Sequence, residues 1–267
     1  MKETLIATCA IALAWPLAGQ ASLVARDLDG NATTTEAYYD TVLGITWMRD
    51  RNHLATATPG MVPTGYVSYA DATAAVAALN ANSAFNFGLT GWRLPTANGV
   101  HTIGGAGCQT GFNGSTDCGS NVNTASGELA FMFHDNLGNV SSRDSSGNLR
   151  AGSYGVDFGL VNDEDFLNLE TGRYWSSTAS YRLIFNIPQN GQVSFDFADG
   201  SQAITAATAG NRGFAWLVHD GDVGTSLSNA VPEPASLALV GLGLMAAFSR
   251  RSVRPPLRAA AASISAN

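Results

Sequence analysis

Two apolar segments, one near each end of the 267-residue chain, confine any globular domain to the residues between them. The first, LIATCAIALAW at residues 5–15, follows Lys2 and is ended by Pro16, and the small residues LAGQA follow at 17–21. A basic start, a short apolar run and small residues behind it are typical of a secretory signal peptide. We therefore interpret residues 1–21 as a signal peptide rather than a buried helix, and expect the secretion machinery and signal peptidase as partners.

The second segment, VPEPASLALVGLGLMAAFSRR at residues 231–251, joins a proline-glutamate-proline triplet to an apolar run and two arginines. The triplet and the arginines are Pro232, Glu233, Pro234, Arg250 and Arg251. The apolar run at 235–248 is shorter than the roughly 20 residues of a free-standing membrane span. We predict a short transmembrane helix whose arginines stay on the cytoplasmic side, with the main domain on the other side of the membrane.

The order of these features resembles the PEP-CTERM sorting signal of bacterial exported proteins. The resemblance implies that an exosortase recognises the segment in the inner membrane and cleaves near the triplet. It also implies a link to exopolysaccharide and biofilm, at the cell surface or in the extracellular matrix. A tail at residues 252–267 departs from the pattern, because the family usually ends at the arginines. The flanking prolines and arginines argue against the alternative of a buried globular helix.

Between the two ends lies an acidic stretch. Residues 22–230 contain nine arginines, no lysine and nineteen aspartates and glutamates. Such a surface repels polyanions, so we expect neither nucleic acid nor anionic lipid as a partner. We assign residues 22–220 to one domain, and GDVGTSLSNA at 221–230 to a flexible linker that leads to the sorting signal.

This stretch also contains two cysteines, Cys108 and Cys118, separated by QTGFNGSTD. In the oxidising compartment of an exported protein, such a pair predicts a disulfide. Closing this short loop would contribute about 2–3 kcal/mol. A metal-binding or catalytic pair is the alternative, which is disfavoured because the spacing is not C-x-x-C and no histidine stands at ligand spacing.

Hydrophobic periodicity predicts two short helices between long polar loops. SYADATAAVAALNAN at 68–82 begins with Ser68 as its N-cap and has Asp71 three residues later, the pattern of a capping box. SGELAFMFHDNLGN at 126–139 places its apolar residues on one face, and Ser126 is its expected N-cap.

Alternation and turn residues predict strands near Tyr38, at 43–48, in a hairpin at 182–200 and at 211–222. The hairpin turn is expected at the Gln-Asn-Gly of residues 189–191.

The stretch DLDGN at 27–31 suggests a calcium-binding loop. An EF-hand loop needs glutamate at its twelfth position, but counting from Asp27 that position is Tyr38. We therefore predict an ordinary turn.

Six phrases in the middle of the chain stand in a recognisable order: GITWMRD at 44–50, YADATAAVAAL at 69–79, GWRLPT at 91–96, SGELAFMF at 126–133, YWSST at 174–178 and FAWLVHDGD at 214–222. Together they resemble the Lcl C-terminal domain family over nearly all of residues 36–222. That family is similar to the C-type-lectin-like fold shared with formylglycine-generating enzymes. The resemblance implies an α+β, C-type-lectin-like domain with two short helices, small antiparallel sheets and long ordered loops.

In such a fold the tryptophans and the GWRLPT phrase belong to the core. We expect Trp92, Trp175 and Trp216 to be buried, Arg93 to form a fixed ion pair or carbonyl contacts, and Pro95 to set a turn. A binding role for Trp92 or Arg93 is the alternative.

Catalytic signatures are weak in this sequence. The formylglycine-generating relatives use a cysteine pair late in the chain, whereas the cysteines here lie in the middle, so that activity does not carry over. The four histidines, His53, His101, His134 and His219, stand in no recognisable motif. We expect a protein that is not an enzyme, with a hydrolase or oxidase on the same fold as the less favoured alternative.

A non-catalytic surface or matrix protein is the leading hypothesis, attached to exopolysaccharide through adhesion or carbohydrate binding. Carboxylate and amide oxygens for a glycan, or for calcium, are offered by two groups: Asp163, Glu164 and Asp165 beside Asn162, and Asp196 with Asp199. The alternative is that these residues are solvated loop acids that bind no ligand. We expect no cofactor, calcium being the one ion these oxygens would suit. A purely structural matrix protein without a ligand is the alternative function.

Overall fold

The computed structural model describes residues 23–97, 110–184 and 187–227, apart from the side chains of Ser126 and of residues 182–189. The predicted signal peptide, the sorting signal with its triplet and arginines, the tail, His101 and Cys108 lie outside the described residues. The pairing of Cys108 with Cys118 therefore stays a prediction.

The strands in the described residues are β1 Leu23–Asp27, β2 Ala37–Asp40, β3 Ile45–Met48, β4 Tyr66–Val67, β5 Thr110–Gly111, β6 Cys118–Ser120, β7 Arg173–Ile184, β8 Ile187–Asp196, β9 Ser201–Ala206, β10 Gly213–Phe214, β11 Val218–Asp220 and β12 Thr225–Ser226. The α-helices are α1 His53–Ala57, α2 Tyr69–Asn80 and α3 Glu128–Phe131. The predicted α+β class is confirmed at this level, as a mostly β fold with few helices.

Two sheets organise the domain. The first has the strand order β11-β3-β2-β1-β12, and all its neighbours are antiparallel. The second has the order β4-β10-β7-β8-β9-β6-β5. Four of its pairs are antiparallel as expected, but two are parallel, β10 with β7 and β5 with β6. The C-type-lectin-like fold stays a prediction.

Helix α2 confirms the predicted capping. Ser68 lies just before the helix in an extended conformation, and its Oγ accepts a hydrogen bond from the Asp71 amide. The same Oγ donates to the Asp71 carboxylate at 2.7 Å. Ala72, Ala75 and Leu79 form the buried face, at the three- and four-residue spacing of one helical stripe.

The second predicted helix is divided into three parts. A 3-10 turn, Thr124–Ser126, precedes α3, and a π-helical turn, Met132–Asn136, follows it. The expected N-cap at Ser126 is wrong, because α3 begins after Gly127, and Asn123 caps the 3-10 turn through the amide of Ala125. The apolar periodicity located the segment, but periodicity does not distinguish among these helix types.

The predicted hairpin exists, but its turn lies elsewhere. Strands β7 and β8 pair from Arg173 and Asp196 up to Ile184 and Ile187, so Asn190 and Gly191 are inside β8. A Cβ at Gly191 would lie 2.6 Å from the carbonyl oxygen of Thr205 on β9. The glycine is therefore needed for close approach of a neighbouring strand, which the sequence does not distinguish from a turn.

The end of the domain differs from the prediction in two ways. The expected strand at 211–222 is two short strands, β10 and β11, in different sheets. The expected linker at 221–230 begins too early, because β12 pairs with β1 and the compact unit ends at Leu227. Asp222 within it accepts two hydrogen bonds from Arg26, at 2.6 and 2.9 Å.

Aromatic side chains fill the interior between these elements. One core cluster contains Trp47, Trp216 and Phe133, and the rings of the two tryptophans are 4.7 Å apart. A second contains Trp92 and Trp175. Among the described residues, no helix combines the length and apolar character of a membrane span. The predicted transmembrane run at 235–248 is not among them.

Candidate functional site

The GWRLPT phrase sits where several elements meet. Arg93 donates two hydrogen bonds of 2.8 Å to the two carboxylate oxygens of Glu128, the first residue of α3. It also donates to Asp220 on β11, at 3.0 Å from Nε and 2.6 Å from a terminal nitrogen. Burial alone would lower the pKa of Arg93, but the hydrogen bonds to Glu128 and Asp220 outweigh it, and the pKa is raised. Arg93 is therefore a charged cross-link between a helix and a sheet.

The residues next to Arg93 in the sequence are also fixed by contacts with other elements. Trp92 is buried, and the Asn80 side chain of α2 accepts from the Trp92 amide and donates to its carbonyl oxygen. The carbonyl oxygen of Pro95 accepts from the Ser177 amide of β7 at 2.7 Å. GWRLPT thus contacts three other phrases of the sequence pattern, which supports its structural interpretation.

The two other tryptophans of that prediction are buried and partnered. The indole of Trp175 donates to the carbonyl oxygen of Val67 at 2.9 Å, and that of Trp216 donates to the carbonyl oxygen of Met48 at 2.7 Å. Trp47 is fully buried as well, and its indole nitrogen has no hydrogen-bond partner in the described structure.

The described histidines contact backbone carbonyl oxygens. His53 Nε2 lies 2.7 Å from the oxygen of Phe85, and His134 Nδ1 lies 3.0 Å from that of Asn139. His219 contacts two carbonyl oxygens, those of Asp220 and Thr90. Burial lowers the pKa of His134, whose Nε2 is buried without a partner in the described structure. No hydroxyl or thiol is among these contacts.

The predicted acids at 163–165 lie on an exposed loop. The backbone holds the loop: Phe166 N donates to the Asp163 carbonyl oxygen, and Arg49 Nε donates to that of Asp165. Glu164 has a φ of 49°, and its carboxylate accepts from the Asn162 side chain at 3.0 Å. The side chains of Asp163 and Asp165 accept no hydrogen bond within the described residues.

Asp196 is the last residue of β8, and Asp199 lies in the turn that leads to β9. Each carboxylate accepts from a backbone amide two residues on, Ala198 and Ser201 respectively. Burial raises the pKa of Asp196, and the charge of Asp199 adds to the effect. Both residues therefore shape the turn, and a ligand would compete with these hydrogen bonds.

One acidic group in the described structure brings three carboxylates within 4.8 Å of one another: Asp27, Asp29 and Glu36. The predicted binding acids are not part of it. The turn predicted for DLDGN is confirmed, since Asp27 accepts from the amides of Asp29 and Gly30. The sequence did not indicate Glu36, because it joins the group only through the pairing of β1 with β2.

Beside Glu36 lies a half-open cleft of about 120 Å³. Its polar lining residues are Thr35, Glu36, Arg49, Asp50 and His53, and its apolar ones are Met48, Phe87 and Leu167. The ring of Phe87 stacks on His53 with centroids 5.2 Å apart, and Phe87 has a φ of 58°, which is strained for an aromatic residue. Leu167 follows the loop of predicted acids and pairs with Asp50. None of these lining residues was a predicted site residue.

A second feature is an exposed apolar loop, which we call the Tyr154 loop (residues 149–158). Three large apolar side chains of this loop are exposed: Leu149, Tyr154 and Val156. Tyr154 is 59% exposed, and its ring and that of the buried Phe158 form a T-shaped pair with centroids 4.6 Å apart. In the same turn, the carboxylate of Asp157 accepts from the Ser153 amide at 2.8 Å. An exposed aromatic side chain and a carboxylate thus lie in the same turn.

The family model of the Lcl C-terminal domain matches residues 36–219, more than half of the chain. The model of the PEP-CTERM protein-sorting motif matches residues 230–254. Comparison with curated proteins and with solved structures gave no match.

Proposed function

Because the chain belongs to the Lcl C-terminal domain family and carries a PEP-CTERM sorting motif, we propose that it is a surface or matrix protein whose domain binds exopolysaccharide. The sorting motif makes it an exported, exosortase-processed protein of the cell surface. In the proposal, the run at 235–248 crosses the inner membrane until the exosortase cuts near Pro232–Pro234, and the domain then stays with the polysaccharide matrix as part of the biofilm.

The observation that carries the binding proposal is the exposed ring of Tyr154. A sugar ring packs on an aromatic face when that face is accessible and held in place. In the proposal Tyr154 meets both conditions, because its ring packs against the ring of Phe158 while more than half of the residue is exposed. Such a rigid aromatic contributes contact area at low entropic cost.

In the proposal, acids in this loop and further along the chain supply acceptors for sugar hydroxyls. Asp157 lies in the same turn, and Asp163, Glu164 and Asp165 follow on an exposed loop. In the proposal these oxygens bind hydroxyl groups directly or through calcium. The contacts of His53, His134 and His219 with carbonyl oxygens favour a non-catalytic domain over a hydrolase or an oxidase.

The test is retention of the full-length protein on exopolysaccharide from the source cells, with calcium and with a chelator. We expect saturable retention of the wild type and at least a tenfold weaker retention of Tyr154→Ala. Tyr66→Ala is the matched control, because Tyr66 is also exposed, at 38%, but packs against Phe214 elsewhere in the domain. It should be retained like the wild type.

Chelation separates the roles of the acids. Loss of retention with the chelator, reproduced by Asp163→Asn with Asp165→Asn, would assign calcium to the loop at 163–165; the same loss in Asp196→Asn would assign it to the β8–β9 turn. Equal retention of Tyr154→Ala and wild type would contradict the assignment to the Tyr154 loop. No retention of the wild type under either condition would favour a purely structural matrix protein.

A further inference from the structure

The cleft beside Glu36 offers hydrogen-bond acceptors that nothing in the described structure uses. Glu36 accepts the Leu28 amide through one carboxylate oxygen, and the other oxygen accepts no hydrogen bond from the described residues. Asp50 similarly uses one oxygen, for the Asn52 amide and the Asn168 side chain. His53 donates Nε2–H to a carbonyl oxygen, which leaves Nδ1 of the neutral ring as an acceptor.

Arg49 is the one cationic residue among the described residues that line the cleft, and it already donates hydrogen bonds to the protein backbone. Arg49 donates Nε–H to the carbonyl oxygen of Asp165 and a terminal N–H to that of Thr35. It thereby holds the loop at 163–167 against the residues before β2. A ligand for this cleft must therefore bring donors of its own.

The net negative charge of the residues that line the cleft favours a cationic ligand. Glu36 and Asp50 oppose the single charge of Arg49, and Asp27 and Asp29 lie within 4.8 Å of Glu36. Glu36 belongs to that group, but Asp50 and His53 do not, so the ligand atoms of Glu36, Asp50 and His53 do not all lie within 4.8 Å of one another. A metal ion needs converging ligand atoms, so the spacing of these three acceptors suits a larger organic cation.

The apolar residues that line the cleft indicate which kind of molecule carries the positive charge of the ligand. Met48, Phe87 and Leu167 line the same cleft, and Leu167 is 44% exposed. An aliphatic stem ending in an ammonium group would place methylene groups on this wall and its N–H donors at the carboxylates. An amino sugar carries its ammonium directly on a polar ring and has no such stem.

We propose that this cleft binds a lysine side chain of a partner protein, with its ammonium group at Glu36 and Asp50 and its stem against Phe87 and Leu167. The partner is a different protein, because the chain has no lysine beyond Lys2 in the predicted signal peptide. The site is separate from the Tyr154 loop, so it adds a protein-binding function to the proposed polysaccharide association.

The test is a titration of the full-length protein with Nα-acetyl-lysine methylamide, followed by ligand-observed NMR. For so small a contact we expect a Kd of about 1 mM. Glu36→Gln and Asp50→Asn should each weaken binding, Glu36→Gln by about tenfold, and each keeps an acceptor for its backbone partner. Asp157→Asn changes the charge equally but lies in the Tyr154 loop, so it should bind like the wild type.

Three further probes test whether the cleft requires a charged group on an aliphatic stem. The Nε-acetylated derivative keeps the stem and loses the charge, and it should not bind. Glucosamine and calcium chloride should neither bind with comparable strength nor displace the lysine probe. The proposal would be overturned by equal binding of the acetylated probe, by tighter binding of glucosamine, or by competition from calcium that Glu36→Gln abolishes. Unchanged binding in both Glu36→Gln and Asp50→Asn would overturn it as well.

Discussion

Arg93 and Glu128 face each other across two parallel hydrogen bonds of 2.8 Å, although 35 residues separate them in the chain. Arg93 and Glu128 have side chains that are 25% and 12% exposed, whereas Asp220, the other partner of Arg93, is 78% exposed. The two ion pairs of one guanidinium therefore lie in different surroundings, and they should differ in strength.

We expect Glu128→Gln to lower the free energy of unfolding by about 2–3 kcal/mol, because it leaves a half-buried guanidinium with one acceptor fewer. Asp220→Asn should cost less than about 1 kcal/mol, because water screens an exposed pair. Urea unfolding of both variants measures the difference. Equal losses would show that burial does not determine the strength of the two pairs.

Gly200 and Gly44 allow steric crowding to be separated from backbone strain. Their φ angles are 68° and 67°, but a Cβ at Gly200 would lie 2.6 Å from Ser141 Oγ and 2.9 Å from the Phe133 ring, whereas Gly44 has open space. Gly44→Ala should cost about 1–2 kcal/mol from backbone conformation alone. Gly200→Ala should cost about 1–3 kcal/mol more from overpacking. Thermal unfolding of the two variants tests this, and equal shifts in Tm would contradict it.

His134 predicts a pH dependence of stability. Burial lowers its pKa below the ordinary value of 6.5, so the folded state stays neutral at a pH where the unfolded state already binds a proton. Stability is therefore fully present above pH 6.5, and it falls as the pH drops towards the lowered pKa. His134→Gln removes this titration, so the stability of the wild type relative to the variant should fall between pH 7 and pH 5. A difference that stays constant over this range would refute the assignment.

Trp216 and Trp47 test the value of one buried hydrogen bond. Both rings are fully buried and in contact, but only Trp216 has a partner for its indole nitrogen in the described structure. Replacement by phenylalanine removes the same atoms from each. We expect Trp216→Phe to be more destabilising than Trp47→Phe by about 1 kcal/mol. Urea unfolding would contradict this if Trp47→Phe proved the more harmful substitution.

The sequence predicted local structure better than long-range pairing. The cap at Ser68 follows from residues three apart in the chain, and the structure confirms it. Gly191 shows the limit, since an Asn-Gly pair favours a turn locally, but the approach of β9 requires the glycine within a strand. Strand β12 was assigned to a linker for the same reason: its partner, β1, lies at the far end of the domain sequence.

The cleft could not be predicted for a related reason. Glu36, His53, Phe87 and Leu167 come from four separate segments, and none belongs to a motif. Strand pairing, the carbonyl contacts of Arg49, the bridge between Asp50 and Leu167 and the contacts of His53 bring these segments together in the fold. Carboxylates that were adjacent in sequence, at 163–165, were easier to notice, but adjacency does not make side chains converge.

The antiparallel pairing of β1 with β12 also fixes where the chain enters and leaves the domain. Arg26 pairs with Ser226, and the Leu227 amide donates to the Ala25 carbonyl oxygen, so the chain after β12 runs back towards Leu23. The first and last strands of the domain therefore lie side by side, and the chain enters and leaves the domain at the same place. Tension applied between the two ends would load this short pair of strands first, and the rest of the domain would carry little of the force.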